Sequence, residues 1–409
     1  MRSPLSFLVW LVALASVSMI ISQGLGRVLE TADPLLASYV DPFSADQRVR
    51  AVAGLLREDA SDEDLKAAEE QVRAALVFNP VDARLFSIFG EIRARRGQVE
   101  EAVGDFQLAR SLSKTEQLAV QRLIAMSLQR GDIASAMVDI DTLLRRWPDR
   151  FEALGPFFLP VLKDERGFQA VLDALQKGAP WRGRLIRYLA QQAEGVTVAE
   201  ELLGDLGAAG ISIEPTEISA VIAARMRLGQ YELAHRFFLF TLSPEDQKHA
   251  GYIFNPGFAP IKLQRYFDWQ YPRTSGVEIQ TLSGEDDGNG GGARVRFLNA
   301  PVKNTGLSQI LLLPPGDYEL LVEASATGLS LPKSLFWGIS CGGGKQIGRL
   351  ELVEGSYQKK EFSLRFNVPD TGCEVQNLRL LTDLVAESWR FRYQGEVVMH
   401  SVRLEKVSA

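Results

Sequence analysis

From residue 49 to residue 150, small and apolar positions recur every 34 residues. In the clearest copy, residues 83–116, apolar side chains at helical spacing occupy two segments separated by a glycine. A fixed period of this length predicts stacked helical hairpins, because one hairpin alone cannot bury its apolar face. Small residues are expected where two helices cross closely, and large ones between hairpins. The predicted packing positions are Phe86, Phe89, Gly90, Gly97, Ala102, Phe106 and Ala109, then Gly131, Ala136 and Pro148, and in a later copy Gly229, Ala234 and Phe238.

This pattern resembles the tetratricopeptide repeat family in spacing and residue type. It departs from the family late in the first helix, where Arg93 and Ser127 replace the usual Tyr. The resemblance implies an α-solenoid over residues 49–250, with about six hairpins and a concave face that binds protein partners. The partner is not defined by the fold, since such solenoids bind partners of every kind.

Ahead of the repeats, residues 5–21 are apolar apart from three serines and carry no charge. As a helix this run is about 25 Å long, close to the thickness of a hydrocarbon core. We expect a transmembrane signal anchor over residues 5–22 and a connector over residues 23–48. Two alternatives stay open: a signal peptide cleaved near Ala13, Leu14 and Ala15, and the buried helix of a soluble protein.

Near residue 250 the apolar periodicity changes from about 3.6 residues to about 2. Residues 293–297, 362–366 and 398–404 alternate, and Gly- and Pro-rich breaks separate the runs. Roughly eight short strands without intervening helices predict an antiparallel β-sandwich over residues 251–409. The fold class expected for the whole chain is therefore multidomain, α then β, with an N-terminal transmembrane helix.

The start of the β domain carries a second resemblance. Asn255, Pro256, Gly257 and Phe258, followed by Phe267, Asp268 and Trp269, resemble the opening of jelly-roll domains of the galactose-binding-like, carbohydrate-binding-module type. Similar openings occur in tetratricopeptide proteins of bacterial exopolysaccharide and capsule systems, which also carry an N-terminal membrane segment. Ala259 stands where an acidic residue often follows, so the resemblance implies no calcium site at that point.

Composition removes several classes of function. The formal net charge is −6 with both signs interspersed, which indicates neither a nucleic-acid groove nor a basic membrane patch. Three histidines and two cysteines leave little for a metal site, and the common nucleotide and hydrolase motifs are missing. We expect no catalytic residue, no metal and no cofactor. Cys341 and Cys373 are expected to form a disulfide outside the cytoplasm, the alternative being two buried free thiols.

A few side chains are candidates for binding, each with a structural alternative. Trp269, Trp337 and Trp389 are candidate glycan-binding residues, since aromatic faces stack on sugars, or else members of the sandwich core. Oxygen-bearing residues in a glycine-rich loop form either a calcium site or a solvated loop. The Arg clusters are read as solvated helix ends or a ligand patch, and the two histidines as structural. These residues are Glu285, Asp286, Asp287 and Asn289; Arg93, Arg95, Arg96, Arg145 and Arg146; and His235 and His400.

The expected function is a non-enzymatic scaffold in the bacterial cytoplasmic (inner) membrane, single-pass, with the bulk of the chain periplasmic. The resemblance implies support of exopolysaccharide or capsule assembly and export. Protein partners are expected on the solenoid, a glycan or a second protein at the sandwich, and no nucleic acid. One alternative is a polysaccharide-active lyase or hydrolase in the β domain. Its candidate carboxylates are Glu351, Glu354, Glu361 and Asp383. The other alternative is a cytoplasmic adaptor, which requires reduced cysteines.

Overall fold

A computed structural model describes residues 4–57, 59–259, 265–282, 291–384 and 389–407. The chain forms two compact units, Met1–Arg182 and Gly183–Ala409. The helices of the first unit are α1 (Pro4–Leu29), α2 (Pro34–Val40), α3 (Ala45–Leu55), α4 (Asp62–Phe78), α5 (Ala83–Arg95), α6 (Val99–Leu112), α7 (Gln117–Gln129), α8 (Ile133–Arg146), α9 (Phe151–Leu162) and α10 (Glu165–Gln176), with a 3₁₀ turn at Pro148–Arg150.

Helix α1 is long and apolar enough to span a membrane. It continues past the predicted anchor to Leu29, and its last turns pack on the elements that follow. Ser22 donates a hydrogen bond to the carbonyl of Val40 at the end of α2. Gly26 is buried beside the side chains of Asp41 and Gln47, where a Cβ would clash. The predicted connector is therefore mostly helical and folds back onto α1.

Helices α5 and α6 form the hairpin that carries the clearest sequence repeat. Gly90 lies so close to the ring of Phe106 that a Cβ would be 2.9 Å from two ring carbons. Phe89 is buried on α5 and Phe86 is partly buried against the α6 cluster. Gly97 makes the turn with a φ of 75°, which a residue with a side chain seldom adopts. Ala102 and Ala109 complete the buried face of α6.

The next hairpin repeats this arrangement in α7 and α8. Gly131 makes the turn with a φ of 71°, and Ala136 is fully buried at the start of α8. Pro148 begins the 3₁₀ turn after α8 and is exposed. Pro156 and Pro160 lie inside α9, which continues through both of them. Packed helix pairs therefore occupy the repeat positions.

The second unit begins with helices and continues as a sandwich. Its helices are α11 (Arg182–Ala190), α12 (Gly195–Ala208), α13 (Pro215–Arg227), α14 (Tyr231–Phe240) and α15 (Pro244–Gln247). Gly229 turns the chain between α13 and α14, and Ala234 and Phe238 are buried. The ring of Phe238 lies 5.1 Å from that of Phe254 and 5.7 Å from that of Phe267. Helix α14 therefore shares a core with the segment that leads into the sandwich.

The sandwich consists of two antiparallel sheets, as predicted. Its strands are β1 (Val277–Leu282), β2 (Gly292–Ala300), β3 (Asn304–Leu311), β4 (Gly316–Ser330), β5 (Leu335–Cys341), β6 (Gln346–Glu351), β7 (Gly355–Val368), β8 (Gln376–Thr382) and β9 (Tyr393–Lys406). The orders are β1-β2-β9-β4-β7 and β3-β8-β5-β6. Alternate side chains of both sheets, such as Tyr318, Leu320, Trp337, Leu378 and Val397, form the core between them. The predicted disulfide between Cys341 and Cys373 is confirmed.

Candidate functional site

The outer face of the four-stranded sheet carries a group of polar and charged side chains. We define it by the strand residues that point away from the core: Ser308 and Ile310 on β3, Asn377, Arg379 and Leu381 on β8, Phe336, Gly338 and Ser340 on β5, and Arg349 and Glu351 on β6. These positions follow from the pleat, because the core residues Leu378 and Leu380 alternate with them along β8. The face therefore combines planar polar groups with an apolar floor.

Arg349 is the centre of a polar cluster on this face. Its guanidinium lies 3.7 Å above the ring of Phe336, a cation–π geometry. Two nitrogens donate to both oxygens of Asp383, at 2.9 and 2.6 Å, and Nε donates to Glu351 at 3.1 Å. The hydrogen bonds from Arg349 lower the pKa of Asp383 and raise that of the guanidinium. The cluster therefore presents two fixed, planar groups whose charges persist at neutral pH.

Arg379 lies across Gly338 from Arg349. In the register, Gly338 pairs with Arg349 on β6 and with Arg379 on β8, so a residue without a side chain separates the two guanidinium-bearing strands. On its other side Arg379 pairs with the small residue Ser308. Arg379 is exposed, and within the part of the chain that the structure describes it has no ion-pair or side-chain hydrogen-bond partner. Its donors are open to a ligand.

The other strand arginines differ from Arg379 because each has a carboxylate partner. Each is within 4.0 Å of a carboxylate: Arg294 with Glu396, Arg296 with Glu278, Arg349 with Asp383, Arg365 with Glu319 and Arg403 with Glu361. Four of these pairs lie on the outer face of the five-stranded sheet, where they neutralise one another. Among the arginines of the described strands, Arg379 alone has no carboxylate within 4.0 Å.

The structure separates the three tryptophans. Trp269 and Trp337 are 2% and 0% exposed, their rings lie 5.8 Å apart, and the indole of Trp269 donates to the carbonyl of Asn255 at 2.9 Å. Neither can present a ring face to a sugar, which corrects the prediction for both. Trp389 is 67% exposed in the connection between β8 and β9, and the Arg392 guanidinium lies 5.3 Å from its ring. Trp389 therefore stays available to a ligand.

The candidate carboxylates are held at three places in the β domain. Glu351 and Asp383 both bind Arg349, whereas Glu354 accepts a hydrogen bond from the backbone of Leu331. Glu361 lies on the other sheet with Arg403. Glu285, Asp286, Asp287 and Asn289 fall outside the described residues. No group of three or more metal-binding side chains is found within the described ranges.

The remaining candidates have structural contacts. Arg93, Arg95 and Arg96 pair with Asp105, Glu91 and Glu69, Arg145 pairs with Asp141, and Arg146 lies over the ring of Trp147. His400 contacts the hydroxyl of Ser325 at 2.8 Å and the carbonyl of Gly291 at 3.2 Å. His235 lies 5.0 Å from Phe267, and burial lowers its pKa. These side chains therefore all make contacts within the protein.

Phe336, Arg349 and Arg379 are not among the candidate residues predicted from the sequence. Alternation along 376–382 could have placed Arg379 opposite the core-facing leucines. It could not reveal the register that places Gly338 between the two arginines, because strand order depends on the whole sheet.

No family model and no curated protein matches the chain. The C-terminal β-sandwich is similar to carbohydrate-binding modules in solved structures. One contains the CBM22-1 and GH10 modules of endo-1,4-β-D-xylanase 10B from Clostridium thermocellum, complexed with xylohexaose. The match has 14% identity and a TM-score of 0.25, and it covers 34% of this chain and 26% of that one.

Two further solved structures have the same kind of similarity. The first is the carbohydrate-binding module of Cellvibrio mixtus lichenase 5A in complex with cellotriose, at 14% identity and a TM-score of 0.22, covering 34% of this chain and 92% of that one. The second is TmCBM61 in complex with β-1,4-galactotriose, at 17% identity and a TM-score of 0.26, covering 39% of this chain and 99% of that one.

Proposed function

We propose that this protein is a non-enzymatic, membrane-anchored binding protein whose β-sandwich binds a glycan on the outer face of its four-stranded sheet. The observation that carries this proposal is the open guanidinium of Arg379 beside the Arg349–Asp383–Glu351 cluster. Guanidinium and carboxylate groups make strong, directional hydrogen bonds, and sugar hydroxyls can both donate and accept them. The ring of Trp389 adds an exposed aromatic surface in the connection that follows Asp383.

The proposed location is the periplasmic side of a bacterial inner membrane. Helix α1 supplies an anchor of suitable length. The disulfide between Cys341 and Cys373 supports a compartment outside the cytoplasm, since such bonds persist where the environment is oxidising. The helical hairpins would hold protein partners. The resemblance of the repeats and of the β-domain opening to proteins of exopolysaccharide and capsule systems supports a role in assembly or export.

Binding is favoured over glycan cleavage by the state of Asp383. A general acid at a glycosidic bond needs a raised pKa, whereas the hydrogen bonds from Arg349 lower that of Asp383. Glu351 is held by the same guanidinium. The arrangement suits recognition of a ligand by charged, ordered groups.

The test is glycan binding by the full chain in nanodiscs, screened on an array of neutral and uronic-acid-containing oligosaccharides and then measured by titration calorimetry. We expect Arg379→Ala to weaken binding about 10- to 100-fold, the equivalent of one lost charge-assisted hydrogen-bond set. Arg365→Ala is the matched control, because Arg365 is also an exposed strand arginine but lies on the other sheet beside Glu319.

Two outcomes would contradict the proposal. Equal glycan affinity of the Arg379 and Arg365 variants would show that the glycan does not bind on the outer face of the four-stranded sheet. If mass spectrometry shows that the bound oligosaccharide is shortened during incubation, the protein is an enzyme and not only a binding protein.

A further inference from the structure

An exposed apolar surface lies at the end of α1. It consists of Leu36 and Tyr39 on α2, Phe43 before α3, Val77 and Phe78 at the end of α4, and Val81 after it, and we call it the juxtamembrane patch. Each of these side chains is between 47% and 74% exposed. Large contiguous apolar surfaces are uncommon on soluble folds and mark contact with another phase or molecule.

Contacts join the three segments at Tyr39, Phe43 and Phe78. The rings of Phe43 and Phe78 lie 5.1 Å apart, edge to face. Gln71 of α4 donates to the hydroxyl of Tyr39 at 3.1 Å. Asn79, directly after α4, donates to the carbonyl of Phe43 at 3.4 Å. The end of α4 is therefore fixed beside α2 and its following loop.

The hydrogen bond between Ser22 and Val40 sets the level of this surface along α1. Ser22 directly follows the apolar run 5–21, and α2 runs back from Pro34 so that its last residue reaches Ser22. Beyond Ser22, the buried polar side chains of Asp41 and Gln47 cover α1 at Gly26. Such groups are costly in hydrocarbon, so of the apolar helix Leu8–Leu29 only the part up to about Ser22 is free of buried polar neighbours.

The length of α1 agrees with this level. Residues 5–21 make a helix about 25 Å long, and a hydrocarbon core is about 30 Å thick. With α1 across a bilayer, Ser22 would lie at its edge. Tyr39, next to Val40, and Phe43, three residues after it, would then lie near the same depth. Aromatic residues favour this interfacial zone, where ring and hydroxyl meet apolar and polar surroundings together.

We infer that the juxtamembrane patch lies against the lipid bilayer, so that the first unit is held to the membrane by this surface as well as by α1. The inference rests on the proposed anchoring by α1. The occupant is the interfacial layer of the lipids, which would bury the apolar side chains of three segments on one side of the helix. A second copy of the chain or another protein would be the competing occupant.

The test uses the full chain reconstituted into vesicles of phosphatidylethanolamine and phosphatidylglycerol. Both native cysteines form the disulfide, so one introduced thiol can be labelled alone with a fluorophore. The labelled variants are Val77→Cys in the patch and Val138→Cys on α8 as the control, since both valines are exposed on helices, at 74% and 61%. Quenching is measured with spin-labelled lipids and with iodide in the buffer.

We expect the label at residue 77 to be quenched at least about twofold more by spin-labelled lipid than the label at residue 138, and to be less accessible to iodide. Equal quenching of the two labels in a protein that floats with the vesicles would overturn the inference and leave the anchor intact. Shielding of residue 77 from both quenchers that grows with the protein-to-lipid ratio would show a second copy on the patch and also overturn it. Failure to float would refute the anchor, and the inference with it.

Discussion

Single glycines determine how closely the helices of the first unit approach. Gly90 and Gly104 both lie inside helices of the same hairpin, but only Gly90 faces another helix closely. A Cβ at Gly90 would lie 2.9 Å from the fully buried ring of Phe106, whereas Gly104 has no atom within 4 Å of that position. The same substitution should therefore have opposite effects at the two sites.

We predict that Gly104→Ala raises the free energy of unfolding by about 0.5–1 kcal/mol, because alanine loses less backbone entropy in a helix. Gly90→Ala should lower it by about 1–2 kcal/mol, because overpacking against Phe106 exceeds the helical gain. Urea denaturation followed by circular dichroism measures both. Stabilisation by Gly90→Ala would mean that the two helices do not cross closely at this point.

The sequence predicted the burial of repeat positions better than the burial of the tryptophans. Gly90 and Phe106 were predicted as packing residues because they fall in the 34-residue repeat, which carries information from several copies. A tryptophan in a strand has no such pattern around it. Trp269 belongs to the predicted opening of the β domain, whereas Trp337 and Trp389 belong to no motif. Two of the three are in the core and one is exposed, since burial depends on strand pairing and on loops.

At the scale of elements, α14 and the segment after Phe254 are joined through rings. His235 lies 5.0 Å from Phe267 and 6.3 Å from Phe238, and burial lowers its pKa below the ordinary value of about 6.5. The folded state therefore favours the neutral imidazole. The unfolded chain binds a proton more readily as the pH falls below about 6.5, so the contribution is full above that pH and is lost as the pH falls towards the folded pKa.

We predict that the stability of the full chain decreases from pH 7.5 to pH 5.5, and that His235→Phe flattens the dependence in this range because phenylalanine keeps the ring contacts without a titrating group. Urea titrations at several pH values, followed by tryptophan fluorescence, measure the effect. An unchanged slope in the variant would show that His235 is solvated in the folded protein.

The sequence predicted most elements and few of their partners. Alternation identified the strands, and glycines such as Gly97 and Gly131 marked the turns. The cluster on the outer face depended on register instead, because Arg349 and Asp383 belong to strand regions that meet only when β5 lies between β6 and β8. The contact of Phe238 with Phe267 was equally hidden, since it joins a helix to a segment without periodicity.

At the scale of the whole molecule, different parts of one chain have different proposed roles. In the proposed arrangement, helix α1 and the juxtamembrane patch would hold the chain on a bilayer, and the outer face of the four-stranded sheet would bind the ligand. Tethering of this kind raises the local concentration of a modest binding site at the membrane surface. The disulfide at the end of β5 stabilises the sandwich that carries the site.

The most direct test of glycan binding by the outer face of the four-stranded sheet is hydrogen–deuterium exchange of the full chain in nanodiscs. It is measured with and without the oligosaccharide that binds most tightly on the array. We predict slower exchange in residues 335–351 and 376–383 on ligand binding, with β1, β2 and β7 unchanged. Protection confined to the five-stranded sheet or to the helices α1–α10 would contradict it.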